Sequence, residues 1–256
     1  MSRSISPKKS KLSRNEMTNL WSKLGIAFNA DPTGPDVDPE VTLLLSLEYA
    51  VDQRKTLKLI AQWLTAHGDL VHVERLLGMI RKGEWRDETE GKLSTRYLGA
   101  LAGYMLSRGD RRWKIIASEC KKMLKGSVAQ FMVDEDMRFL IERDGADPHF
   151  QKFGVTIPLL LEKSRELRVE GFQNQTKLRS REYILDTNPW LRLRAALGTN
   201  WRADILFVIL TGLASNAYQT GKLLGCSYET AHRIWTAAQG AKVTELFKVR
   251  VLLAKY

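Results

Sequence analysis

Apolar residues recur along most of this chain at spacings of three and four, the period of helices with one buried face. Asp38-Pro39-Glu40 reads as a helix start: a capping carboxylate, a proline where no donor is lost, and an acid near the positive end of the dipole. Val41, Leu44, Leu45 and Leu47 then predict a helix over about 39 to 52. Leu57, Ile60, Ala61 and Leu64 predict a second that stops at Gly68. Val73, Leu76, Leu77 and Ile80 predict a third, with Asp69 as its expected cap and Gly83 after its end. So short a link predicts antiparallel packing of these two. The same period appears at about 93 to 107, 111 to 124 and 134 to 143, and residues 15 to 28 can make one more helix.

These patterns set an organisation. Residues 1 to 14 are a Ser-, Lys- and Arg-rich arm, and 15 to 170 are expected to form an all-helical domain. Residues 171 to 188 are polar and short of large apolar side chains, which marks a linker. Residues 189 to 256 form the last expected domain. It opens at Asn188-Pro189, again a cap followed by a first-turn proline, and a short basic helix with Arg192 and Arg194 runs to Gly198. Asn200 caps the next helix, Trp201 to about Thr211, which is apolar nearly all round and belongs in a core.

The most specific spacing lies between Ala217 and Trp235. Two helices that cross steeply need a small residue where their backbones approach, and Gly221 stands there. The tight turn needs positive φ, which Gly225 supplies four residues later. Leu224, Cys226, Ala231 and Ile234 fall on inward positions, and Thr220 occupies a place where an aliphatic residue is usual. The stretch resembles a helix-turn-helix unit.

Ser227 is placed as N-cap of the second helix, so Tyr228 and Glu229 occupy its first turn and project away from Ala231 and Ile234. His232 and Arg233 point outward one turn later, with Thr230 beside them. These are candidates for a DNA groove, Arg233 above all, because a guanidinium holds guanine or phosphate in bidentate geometry. Gln219 and Lys222 on the first helix are candidates for phosphate contacts. Val243, Phe247, Val249, Val251 and Leu253 alternate with polar residues, a strand period. Lys248 and Arg250 would then brace the DNA backbone. No turn residue interrupts the run, so 242 to 256 stays open between a hairpin wing, a single strand and a helix.

Charge sharpens this picture. The formal net charge is +11, yet residues 15 to 150 carry 19 basic against 21 acidic residues. Residues 151 to 256 carry 16 basic against eight acidic, so the excess sits in the arm and the C-terminal part, where a polyanion would bind. Hydrophobic residues make up 44% of the chain, enough to fold, and no apolar run approaches the ~20 residues of a membrane span. No signal core follows the basic start, and a cytoplasmic protein is expected.

Rival chemistries find little. Cys120 and Cys226 are far apart and imply neither a disulfide framework nor a zinc cluster. His67, Asp69 and His72 straddle a helix break instead of sharing a face. Asp134, Glu135, Asp136, Glu142, Asp144 and Asp147 lack a partner at a diagnostic spacing for a two-metal nuclease. Gly99 and Gly103 lie within a helical pattern and form no phosphate loop. Trp63, Trp85, Trp113 and Trp235 are scattered and read as core. No catalytic residue, metal or cofactor is expected.

Residues 189 to 256 taken together resemble the winged helix-turn-helix of bacterial transcription regulators in the broad MarR and ArsR-like group. That resemblance implies a mainly α chain with a small β element, sequence-specific binding of double-stranded DNA, and a two-fold homodimer as the usual arrangement. The unexplained length before residue 170 keeps a second expectation open. In it the helical domain binds a partner protein, antitoxin-like or from a defence system, and the winged helix is only a packing unit.

Overall fold

Helices carry the regular structure of the chain, a mainly α fold. A computed structural model describes residues 13–28, 37–50, 54–83, 91–124, 145–157 and 178–245, with positions 138, 141–143 and 159 between them. The helices, in order, are α1 (Arg14–Lys23), α2 (Pro39–Ala50), α3 (Arg54–His67), α4 (Val73–Lys82), α5 (Gly91–Ser107), α6 (Lys114–Met123) and α7 (Pro148–Gln151). After these come α8 (Arg181–Thr187), α9 (Pro189–Leu197), α10 (Trp201–Thr211), α11 (Ala217–Leu224) and α12 (Tyr228–Gly240).

Short polar side chains start most of them. Ser13 forms a capping box with Glu16 at α1, and Asn188, Asn200, Asn216 and Ser227 each accept from a first-turn backbone amide. Such caps satisfy donors that a helix leaves unpaired. Asp38 does the same for α2, accepting from the Glu40 and Val41 amides at 3.1 Å each. Asp69, by contrast, does not cap α4. The chain makes a 3-10 turn over Gly68–Leu70 first, and His72 precedes α4 with no side-chain capping bond. This extra turn redirects the chain, and α4 packs against α6.

α5 is the central helix of the first core, in contact with α2, α6 and α7. Gly99 makes its approach possible: a Cβ there would stand 2.3 Å from the Phe153 ring and 3.0 Å from Cys120 Cβ. The expectation that this glycine belongs to a helix and not to a phosphate loop holds. Trp21, Trp63 and Trp113 are fully buried in this core, with Leu44, Ile60, Leu76, Leu98 and Phe150. Two of the indoles are hydrogen-bonded, Trp21 Nε1 donating to Ser46 Oγ and Trp63 Nε1 to the Leu24 carbonyl, both at 2.7 Å. Trp85 lies outside the described residues.

Residues 181–187, within the stretch expected as a linker, form α8. Its Ile184 packs in the first core, where an added Cβ on Gly25 would collide with it at 2.4 Å. An antiparallel bridge between Ile26 and Leu178 ties the same region to the chain start. A second, smaller core contains Trp190, Ile205, Phe207, Val208, Ala217, Leu224 and Ala231.

Of the wing, strand and helix readings left open for 242 to 256, the first residues do not take the strand. Lys242 takes a positive φ of 49° after α12, and Val243–Glu245 continue as a helical turn. Lys242 to Glu245 are polar apart from Val243, so no side chain pattern there favours extension. The remaining residues of that stretch, with Lys248 and Arg250, lie outside the described residues, and among the described residues no strand ladder forms.

Candidate nucleic-acid interface

The stretch from Ala217 to Gly240 folds as two helices joined by a turn. Gly225 follows α11 in the left-handed conformation at φ 80°, and its amide donates to the Gly221 carbonyl at 2.8 Å. Two residues later Ser227 is extended, and its Oγ accepts from the Thr230 amide at 3.2 Å to start α12. Ala231 is buried against α11, and Leu224 is buried beside it, as the spacing predicted. Thr220 is fully buried without strain on that core, because its hydroxyl donates to the Asn216 carbonyl at 2.9 Å. Gly221 is less demanding than expected. A Cβ there would meet Cys226 O at 3.4 Å and Ala231 Cβ at 3.5 Å, which is ordinary contact.

This arrangement presents the first turns of α12 to solvent. Tyr228 is 54% exposed, and its ring lies 5.4 Å from that of His232. Glu229, His232 and Arg233 are exposed beside it. Thr230 is half-buried, and its hydroxyl accepts from Ser227 Oγ at 3.1 Å, so those two side chains are engaged in forming the turn. Gln219 is exposed, but its carbonyl oxygen accepts from the Ser215 amide and hydroxyl at 3.0 and 2.8 Å. Lys222 is exposed and borders a cavity on the side of the turn that faces α4.

Sequence reasoning missed one member of this surface. Arg202, exposed on the first turn of α10, lines a shallow groove with Asn200, Thr230 and Arg233. The only hint was its place two residues after the Asn200 cap, in a helix read as apolar nearly all round.

It also missed what holds the unit in place. Asp204 on α10 is fully buried and accepts from Arg194 Nε at 2.7 Å and from Trp190 Nε1 at 2.6 Å, while His72 Nδ1 lies 2.6 Å from its other oxygen. Arg194 turns its other face to Glu40, with Nη1 to Oε1 at 2.6 Å and Nη2 to Oε2 at 2.8 Å. Arg75 on α4 donates to Glu40 Oε2 at 2.6 Å, pairs with Asp38 through both terminal nitrogens, and sends Nε to the Leu224 carbonyl at 3.2 Å. That last bond satisfies a carbonyl at the end of α11. Both guanidiniums also lie over the Trp190 ring, 5.2 and 5.3 Å from its centroid, and Trp190 stacks on Phe207.

Burial alone would raise the Asp204 carboxyl. The charge of Arg194 and the hydrogen bonds from His72 and Arg194 outweigh it and hold the group well below the usual carboxylate range. The two arginines keep their charge against burial because Asp38, Glu40 and Asp204 surround them. Arg194 therefore does not belong to a solvated basic helix, as the sequence suggested. It is fully buried because two acids meet it there.

The two histidines near Asp69 also serve the interior. His67 packs on Trp63, and burial pushes it below its ordinary value, while Asp69 pairs with Arg181 at 2.7 Å. Among the described residues no group of three or more His, Cys, Asp or Glu could hold a metal ion, and no helix is long and apolar enough to cross a membrane. Comparisons of the chain with protein-family models, with curated proteins and with solved structures found no match.

Proposed function

We propose that this protein binds double-stranded DNA through the start of α12 and acts as a transcriptional regulator. The observation that carries the reading is the exposed cluster of Tyr228, His232 and Arg233 on the second helix of a helix-turn-helix, with Arg202 beside it. Arg233 has no carboxylate partner among the described residues, so its guanidinium is available for phosphate or guanine. α12 is 13 residues long, and its exposed first turns are the part that would enter a major groove. Lys222 and Arg202 flank it as phosphate contacts. In a dimer, two such helices would meet half-sites one helical turn of DNA apart.

Fluorescence anisotropy with duplexes taken from upstream of the coding region tests this. Binding should weaken steeply with salt, by a logarithmic slope near 0.9 per phosphate neutralised. Arg233→Ala should weaken it further by about 1–3 kcal/mol. A variant that binds as tightly as the original chain contradicts the assignment of α12. No duplex affinity, together with a stoichiometric protein partner, would favour the interaction-module reading instead.

A further inference from the structure

Between the helical domain and the helix-turn-helix lies a cavity of about 560 Å³. Its volume falls within the ~300–1,000 Å³ typical of small-molecule sites. Leu44, Leu45 and Met79 wall it from one side, and Phe207, Val208 and Leu223 from the other. Its charged lining is Lys23, Lys82, Lys222, Arg75 and Asp38, and of these Arg75 is already met by Asp38 and Glu40. Asp38 is already paired with Arg75 through both terminal nitrogens, so its charge is offset. Neither Lys82 nor Lys222 has a carboxylate partner among the described residues. The Lys82 ammonium reaches the turn itself, 3.3 Å from where a Cβ on Gly225 would stand.

We propose that this cavity binds a small amphipathic anion, an apolar body of about ten carbons carrying one carboxylate. The apolar walls would cover the body, as buried apolar surface does elsewhere. Lys82 and Lys222 would hold the carboxylate at the mouth, one from α4 and one from α11. An occupant so placed touches both halves of the molecule. It also engages Lys222, which the DNA-binding reading assigns to phosphate, so binding should oppose duplex binding. That coupling rests on the regulator reading; the binding site does not.

Isothermal titration calorimetry with decanoate, 1-naphthoate and decanol tests the site. One equivalent of at least one of the two carboxylates should bind saturably, and decanol at least tenfold more weakly. Lys82→Met with Lys222→Met should lower carboxylate affinity tenfold or more. Leu45→Trp, at a half-buried wall position where an indole would enter the cavity, should abolish binding, with melting curves confirming that each variant is folded. Failure of both carboxylates to saturate, equal affinity for decanol, or undiminished binding by the folded variants would overturn the proposal. Duplex affinity of the ligand-free protein is measured alongside. Duplex binding without carboxylate binding sinks this site alone, and the reverse result sinks the regulator reading alone.

Discussion

Arg194 and Glu40 are 154 residues apart in sequence and meet as a two-pronged ion pair with neither side chain exposed. One sits on α9, the helix before α10, and the other at the start of α2. Their pairing, extended by Asp204, Arg75, His72 and Asp38, fixes the α10–α12 unit on the helical domain. A buried ion pair is weak ground for claiming net stability, since desolvation opposes its attraction, but removing one partner leaves the other uncompensated.

Glu40→Gln should therefore be severe. Glu40 accepts from Arg194, Arg75 and the His72 amide, so an amide there presents donors to donors. The expected loss is about 3–5 kcal/mol, read as a shift in the urea midpoint. A loss under about 1 kcal/mol would mean that the network is not formed as described.

The same network makes the fold sensitive to acid. The Asp204 carboxyl is held below its unfolded value, so its contribution is complete above the usual carboxylate range and is lost as pH falls through and below that range. His67, pushed below its ordinary value by burial, adds to the trend from near neutrality downward, because the unfolded chain takes up its proton first. Urea midpoints measured from pH 7 to 3 should fall throughout, most steeply below about 4. A midpoint that is flat or rises as the pH is lowered would contradict both assignments.

Two glycines of the helix-turn-helix should respond oppositely to alanine. Gly225 has φ 80°, where an L side chain is strained, and Gly225→Ala should cost about 1–2 kcal/mol. At Gly221, inside α11, the new methyl reaches only ordinary contact distance and the helix gains propensity, so Gly221→Ala should be neutral or stabilising by up to about 1 kcal/mol. Thermal melts of the two variants check the contrast, and equal losses would refute it.

The helix-turn-helix was readable in the sequence because its signals are local. Gly225, Ser227 and Ala231 act on neighbours within a few residues, and each does in the fold what its spacing indicates. The ion network was not readable, because nothing near Glu40 announces Arg194. By sequence Glu40 is an ordinary first-turn acid and Arg194 part of a short basic helix, and nothing singles out Asp204 in a helix that is apolar nearly all round. Each is explained only by partners brought in by the tertiary fold. The charge surplus overstates the free basic surface for the same reason: Arg194 is buried, and Arg181 and Arg192 lie near Asp69 and Asp186, so part of the C-terminal excess is internal or locally paired. Asp69 was misread because a cap and the start of a 3-10 turn share one sequence signature.

Site-directed photocrosslinking tests the proposed interface most directly. A benzophenone side chain at the exposed Tyr228 is compared with one at the exposed Ile115 on α6, each mixed with upstream duplex at low salt. Adducts to DNA from position 228, lost on adding salt and absent from position 115, are the predicted result. Adducts from position 115 alone, or none from 228 under conditions where the duplex is bound, would contradict it.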